Sequence, residues 1–174
     1  MRKTMIVTTL IFLGVLMPST ARAGGFLTPF LGVTFGADAP ASRVTYGVAA
    51  GGMIAGIFGA EVDFGHTPNF FDRAEGDRPS VTTLMVNLLV GAPLGSFQPY
   101  VSAGLGVIRQ GAELTPSGVL NDISSNDFGL NAGAGARVRV GGPFGIRADV
   151  RYFTVRKSGG LGFWRGYGGL SLGF

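Results

Sequence analysis

Eight ionisable side chains lie in stretches of alternating polar and apolar residues. Within each stretch they share the alternate positions that also carry glycine and small polar residues. Glu61 and Asp63, for example, alternate with Ala60, Val62 and Phe64. Successive side chains of a β-strand point to opposite faces, so this pattern predicts strands with one charged face and one apolar face. The complete set consists of Glu61, Asp63, Arg137, Arg139, Arg147, Asp149, Arg151 and Arg165.

Five arginines and three carboxylates on the enclosed side of a sheet could have either of two roles. An unpaired buried ion costs several kcal/mol, so the charges could pair into a salt-bridge network that plugs the interior. Alternatively, the excess of arginine could line a narrow path for small solutes or anions. The sequence leaves both readings open.

The last twelve residues indicate what the apolar face contacts. Trp164 and Phe174 share the apolar parity, while Arg165 and Tyr167 lie on the other. Ten residues of strand span roughly 33 Å, which a tilt of about 40° projects to roughly 25 Å. That is the height of the lipid-facing band on a membrane barrel, with aromatic residues at both rims. The segment therefore predicts a membrane-spanning strand.

Similar alternation recurs along the chain and predicts an all-β fold. Eight strands are expected, at about 26–35, 43–52, 57–65, 81–90, 97–108, 128–140, 144–153 and 163–174. Their connections are short at 53–56, 91–96 and 141–143, and longer at 36–42, 66–80, 109–126 and 154–162. An even strand number with alternating loop lengths predicts an eight-stranded antiparallel up-and-down transmembrane β-barrel with short periplasmic turns.

The positions of proline and glycine add two expectations about the strands of this barrel. Pro29 cannot donate a ladder hydrogen bond, so a local irregularity is expected in the first strand. The chain also contains 31 glycines without a collagen period. On the inward face of a narrow barrel, glycine leaves room for large side chains opposite.

Two other architectures would share parts of this sequence pattern. A soluble lipocalin-like barrel would face its polar residues outward, whereas here the charged parity coincides with glycine. A membrane helix over Val44–Ala60 would explain the spacing of Gly47 and Gly51. Glycine is a poor helix former, however, and the strand alternation continues into Glu61 and Asp63.

The N-terminus has the three parts of a secretory signal. Arg2 and Lys3 precede an apolar run from Met5 to Met17, and Ala21-Arg22-Ala23 is a cleavage pattern. The run is too short to span a bilayer as a helix, which disfavours an uncleaved anchor. We therefore predict a signal peptide at 1–23 and a barrel domain at 24–174.

Composition excludes several function classes. Three of the fourteen basic residues would leave with the signal, which brings the net charge of +4 close to neutral and gives no reason to expect a nucleic-acid partner. The chain has no cysteine and one histidine, His66. No His-x-Ser pairing, phosphate-binding loop or metal-ligand set accompanies that histidine. We expect a non-enzymatic protein without catalytic residues, metal or cofactor.

With signal, strands and turns in place, the ending Tyr167-Gly-Gly-Leu-Ser-Leu-Gly-Phe174 carries a family resemblance. The chain resembles the small outer-membrane β-barrels typified by the OmpA transmembrane domain, OmpX and the opacity proteins. The resemblance implies an integral place in the bacterial outer membrane, contact with its lipids, and a structural or surface-interaction role. It also implies that Trp164, Tyr167 and Phe174 form a signal read by the barrel assembly machinery. Unlike OmpA, the sequence stops there, so peptidoglycan anchoring by a following domain is not expected.

The predicted external loops 66–80 and 109–126 could contact an extracellular ligand. Asn69-Phe70-Phe71 is the most apolar piece of the first loop. Exposed aromatic residues often mark contact sites, so it could be an adhesive patch. It could equally fold back and cap the barrel.

Overall fold

The computed structural model describes residues 23–36, 39, 42–70, 80–111, 125–156 and 161–174. The predicted signal peptide lies outside these residues except for Ala23, which begins the first strand. Much of the two predicted ligand-contacting loops, and Phe71 with them, also lies outside the described residues.

The described residues form eight strands. These are β1 (Ala23–Phe35), β2 (Arg43–Ile54), β3 (Phe58–Thr67), β4 (Ser80–Gly91), β5 (Phe97–Gly111), β6 (Ser125–Gly141), β7 (Phe144–Val155) and β8 (Gly162–Gly173). Each strand pairs antiparallel with its sequence neighbours, and β1 also pairs with β8 to close the barrel. Closure lets the backbone N–H and C=O groups of both edge strands form hydrogen bonds, which is required in a membrane because lipid offers no partners. The predicted eight-stranded antiparallel barrel is confirmed.

All strand bounds lie within three residues of the predicted ones. One difference affects a candidate residue: β3 continues through His66 and Thr67 because β4 supplies register partners at Thr82 and Val81. His66 therefore lies within a strand, not at the edge of a loop.

Two irregularities interrupt the ladders. The pairing of β1 with β8 omits Thr28 and Pro29, although the register is the same on both sides of the gap. This is the irregularity predicted at Pro29, whose nitrogen carries no hydrogen. The second is a register shift in β6 between Arg139 and Gly141, which the alternation of side chains did not predict.

The apolar parity faces outward in every strand. In β4, Leu84, Val86 and Leu88 are exposed, while the intervening Met85 and Asn87 are fully buried. The soluble-barrel alternative, which needs polar residues outside, is therefore wrong. Outward aromatic residues lie at both ends of the barrel: Phe58, Phe97 and Phe144 near the short turns, and Tyr46, Phe64, Phe128 and Trp164 near the longer connections.

The helical alternative for Val44–Ala60 is also wrong. This stretch forms parts of β2 and β3, joined by a tight turn in which Ala55 and Gly56 have φ angles of 53° and 70°. Across the described part of the chain, no helix combines the length and apolar character needed to cross a membrane.

Glycine leaves space for large inward side chains. A Cβ atom built on Gly65 would lie 2.1 Å from Arg165 Nη1, and one on Gly135 would lie 2.4 Å from the Tyr100 hydroxyl oxygen. Real Cβ atoms do not approach other atoms so closely. The glycine content is thus linked to the crowded interior.

Candidate functional site: the charged layer of the lumen

The central charged residues lie on opposite walls of the barrel. Glu61 and Asp63 are on β3, while Arg147, Asp149 and Arg151 are on β7. In the closed order, four strand steps separate β3 from β7 in either direction. Inward side chains from these strands therefore meet across the lumen, which in an eight-stranded barrel is just wide enough for side chains to fill.

Arg147 connects the two walls. Its Nη1 donates to Glu61 Oε2 on the opposite wall. Its Nη2 donates to Asp149 Oδ2 at 3.1 Å, and its Nε donates to the Tyr100 hydroxyl. All three donor nitrogens of this fully buried guanidinium are therefore used.

Arg151 makes a second bridge between the walls. Its Nη2 donates to Glu61 Oε1 at 2.8 Å and to Asp149 Oδ2 at 2.9 Å, and its Nε donates to Asp149 Oδ1 at 2.8 Å. The Nη1 atom lies 3.9 Å from Asp63 Oδ2, which is an ion pair without a hydrogen bond. Glu61 thus receives hydrogen bonds from two arginines.

Arg165 on β8 completes the charged layer. Its Nη2 donates to Asp63 Oδ1, and its Nη1 donates to Thr83 Oγ1 at 3.0 Å. The guanidinium carbon lies 4.4 Å from the centre of the Phe153 ring and 5.2 Å from that of Phe30. Such cation–π contacts stabilise a cation out of contact with water.

Uncharged side chains extend the network around the wall. The Tyr100 hydroxyl donates to Asp149 Oδ2 at 2.6 Å. Asn87 Nδ2 donates to Glu61 Oε1 at 3.3 Å, and Asn131 Nδ2 donates to Asn87 Oδ1 at 2.8 Å. Tyr100, Asn87, Asn131 and Thr83 were not among the site residues predicted from the sequence. They share the inward parity of the charged residues, which is the signal that could have identified them.

The structure brings six of the eight predicted lumen residues into one charge-balanced group. We call this group, Glu61, Asp63, Arg147, Asp149, Arg151 and Arg165, the central network. Its three guanidinium groups face three carboxylates, and every member is at most 3% exposed. Because buried charges are costly when unpaired, matched numbers of opposite charges are what such a layer requires.

Arg137 and Arg139, the other two predicted residues, lie outside the central network near the short turns. Arg137 is half-buried, with its guanidinium carbon 3.9 Å above the Phe26 ring. Arg139 is exposed, and its backbone N–H donates to the Ser96 carbonyl at 2.8 Å. Arg139 falls where the β6 register shifts, which explains why strict alternation predicted its environment poorly.

Apolar layers lie on both sides of the central network. Towards the longer connections lies the outer apolar layer: Phe70, Val81, Met85, Ile108, Phe153, Val155, Leu161 and Phe163. Towards the short turns lies the inner apolar layer: Phe26, Met53, Leu89 and Tyr100. Phe70 is fully buried and packs edge-on against Phe163, with ring centres 5.1 Å apart. Of the two hypotheses for this loop, the position of Phe70 supports capping.

The residues predicted for assembly divide between the two faces of β8. Trp164 points outward beside Tyr152, with ring centres 5.2 Å apart, and Phe174 is exposed at the barrel rim. Tyr167 instead points inward and stacks on Phe30 at 4.2 Å. The backbones of Phe174 and Gly25 exchange two hydrogen bonds, of 2.9 and 3.0 Å, next to the closing pair of strands.

His66 lies on the outward parity of β3. Its Nδ1 is 2.9 Å from Thr82 Oγ1, and the Tyr46 ring centre is 5.5 Å from its own. Within the described ranges, no group of three or more His, Asp or Glu side chains is arranged to hold a metal ion.

Comparisons with known proteins identify the family. The family model for the outer membrane protein beta-barrel domain matches residues 9–173, nearly the whole chain. The chain belongs to this outer-membrane β-barrel family. Family membership supports a location in the bacterial outer membrane.

Solved structures of outer-membrane barrels share the fold. The Neisserial surface protein A structure superposes with a TM-score of 0.69 at 16% identity, covering 87% of this chain and 97% of that one. The N-terminal barrel of Pseudomonas aeruginosa OprF gives 0.57 at 19% identity, covering 89% and 100%. Yersinia pestis Ail, in complex with the heparin analogue sucrose octasulfate, gives 0.57 at 14% identity, covering 86% and 98%. No curated protein matches the sequence at a significant level.

Proposed function

We propose that this outer-membrane barrel is a non-enzymatic structural protein whose lumen is closed by the central network. The observation that carries the proposal is the pair of arginine bridges from β7 to Glu61 on the opposite wall. Because these bridges cross the lumen, they join walls that the backbone ladders connect only around the circumference. The network therefore braces the cylinder as well as filling it.

The apolar layers support closure to ions. An ion entering from the long-connection end would meet the outer apolar layer, where Met85, Ile108 and Phe153 are fully buried. Apolar constrictions exclude water and hydrated ions. Beyond them, all three carboxylates are already held by arginines, so a permeating anion would have to displace a carboxylate at considerable cost.

We also propose that this protein is exported through its signal peptide and assembled through its C-terminal strand. Residues 1–23 would direct export across the inner membrane and then be removed. The assembly machinery would read the C-terminal strand through Trp164, Tyr167 and Phe174 before the barrel closes. The outward positions of Trp164 and Phe174 favour recognition of one strand face, and Tyr167 would become enclosed as folding finishes.

We also propose a surface-interaction role for the external connections. Because Phe70 belongs to the outer apolar layer, a ligand-binding contribution from the first long loop would come from residues beyond it. Deleting residues 71–79 spares Phe70 and separates the two roles. Loss of binding to host-cell or matrix surfaces, with an unchanged heat-induced gel-mobility shift, would assign the interaction to this loop.

Planar-bilayer conductance tests the closed lumen. The sample should be a folded barrel, verified by circular dichroism and by its shift in gel mobility on heating. The wild-type protein is expected to show no single-channel steps. Anion-selective steps in the wild type that lose their selectivity in Arg147→Ala would overturn the plug and establish the narrow porin-like channel instead. Arg109→Gln, an exposed substitution on β5, is the matched charge control.

A further inference from the structure

The two arginines left out of the central network lie together in a cavity. This short-turn cavity has a volume of about 540 Å³ and opens at the end of the barrel with the short turns. Its polar lining includes Arg137, Arg139, Gln98, Ser96 and Ser171. Among the described residues that line it there is no aspartate or glutamate, so its fixed side-chain charge is positive.

No ion pair joins the guanidinium of Arg137 to a carboxylate among the described residues. Its register partners are Gln98 on β5 and Arg147 on β7. A like charge directly opposite on the neighbouring strand is unfavourable. The three carboxylates of the central network are engaged by Arg147, Arg151 and Arg165. Of the eight predicted lumen residues, the two arginines outside the balanced central network therefore line the short-turn cavity.

The guanidinium of Arg137 also has unused hydrogen-bonding capacity. Its Nε is buried and has no hydrogen-bond partner among the described residues. The guanidinium carbon lies 3.9 Å from the centre of the Phe26 ring, a cation–π contact that does not occupy the N–H donors. A planar guanidinium with unoccupied donors suits the oxygens of phosphate or carboxylate groups.

The neighbouring backbone holds the second arginine at the same opening. The Arg139 N–H bonds to Ser96 in the β4–β5 turn, and Gln98 Nε2 donates to the Gly56 carbonyl at 2.8 Å in the β2–β3 turn. Two turns and the end of β6 are thereby tied together around the cavity. Its volume lies within the usual range for small-ligand sites.

We propose that the short-turn cavity is a binding site for a phosphate-type oxyanion, held by Arg137 and Arg139. The anion could be free phosphate or the phosphate of a phospholipid headgroup in the inner leaflet, because the same two guanidinium groups would recognise both. The site faces the periplasmic side, where the short turns of such barrels lie. The central network separates it from the external mouth, so binding does not require conduction.

The test is NMR titration of the folded protein in octyl glucoside, following the Nε–H signal of Arg137. Inorganic phosphate is added first, with sodium chloride at equal ionic strength as the control. Short-chain phosphatidylglycerol, below its micellar concentration, is added to a second sample. A saturable shift with inorganic phosphate supports the site and shows that the free anion suffices. A saturable shift with phosphatidylglycerol alone supports the site and identifies the headgroup as the source.

Variants make the assignment specific. Arg139→Gln alters an exposed side chain and is expected to weaken binding roughly tenfold or more, the effect of losing one charged hydrogen-bonding partner. Its Arg137 signal remains available as the reporter. Arg109→Gln removes the same charge near the opposite end of β5 and should bind as the wild type does. Equal affinity in Arg139→Gln and the wild type, or a shift reproduced by chloride, would overturn the proposal.

Discussion

At the residue scale, Glu61 connects opposite walls of the barrel. It accepts from Arg147, Arg151 and Asn87, and so joins β3 to β7 and β4. Glu61→Gln would keep the shape but leave two buried guanidinium groups with less negative charge. We expect the free energy of unfolding to fall by about 3–5 kcal/mol, the usual cost of breaking a buried ion pair. Urea unfolding in lipid vesicles measures it.

A double-mutant cycle separates the energy of the Glu61–Arg147 interaction from other effects of each substitution on stability. Glu61→Gln combined with Arg147→Gln should be less destabilising than the sum of the single changes, because the second substitution removes one of the unpaired charges. Arg109→Gln, on the exposed surface, should change stability by less than about 0.5 kcal/mol. Strict additivity of the two lumen substitutions would contradict the assigned bridge.

Gly65 supplies a second test at the residue scale. Gly65→Ala would place a methyl group against Arg165 Nη1 and disturb its contacts with Asp63 and Thr83. We expect a loss of about 1–3 kcal/mol in unfolding free energy, as for other overpacked interiors. Gly24→Ala is the matched control, because nothing lies within 4 Å of its Cβ position. Equal changes in unfolding free energy for the two substitutions would contradict close packing of Arg165 against Gly65.

Parity alone could identify the members of the central network but not their partners. Glu61 and Arg147 are 86 residues apart and meet only because the sheet closes with β3 opposite β7. That contact depends on barrel closure and on the register of every intervening strand. Tyr100, Asn87 and Thr83 were missed for a related reason, since an uncharged inward residue becomes part of the site only when a charged group reaches it.

At the scale of the strand, alternation predicted the number of strands, their approximate positions and their outward faces. It was less reliable at strand ends, where pairing with the neighbour decides how far a strand continues. His66 shows this, because its partners on β2 and β4 keep it in the ladder. The β6 register shift is likewise a product of pairing and is not visible in hydrophobic periodicity.

The outward face of β4 gives a depth-dependent prediction. Val86 lies at the middle of the strand between Val62 and Leu105, whereas Val90 lies near the short-turn end. Val86→Arg should lower the free energy of unfolding by about 2–4 kcal/mol, and Val90→Arg by only about 0–1 kcal/mol. Urea unfolding in vesicles compares them directly. An equal loss of unfolding free energy for the two substitutions, or a larger loss for Val90→Arg, would contradict a membrane midplane near Val86.

At the scale of the whole molecule, the barrel is an inside-out arrangement of polarity. The six charged residues of the central network are buried in the lumen, and most of the exposed large side chains of the described strands are valine, leucine, isoleucine and aromatic residues. Eight strands suffice because the lumen needs only to be filled by side chains. The sequence predicted this arrangement from the coincidence of charge with glycine. It could not separate the two apolar layers from the central network, because their order along the barrel axis depends on strand stagger.

The single tryptophan provides the most direct test of the outward apolar face. Trp164 is 41% exposed on the exterior, whereas the adjacent Phe163 is 1% exposed in the lumen. In vesicles containing brominated lipids, the folded protein should show strong quenching of Trp164 fluorescence. The exchange variant Phe163→Trp/Trp164→Phe moves the indole to the inward face and should be largely protected. Protection of the wild type, or equal quenching of both proteins, would contradict a barrel with lipid outside and a filled interior.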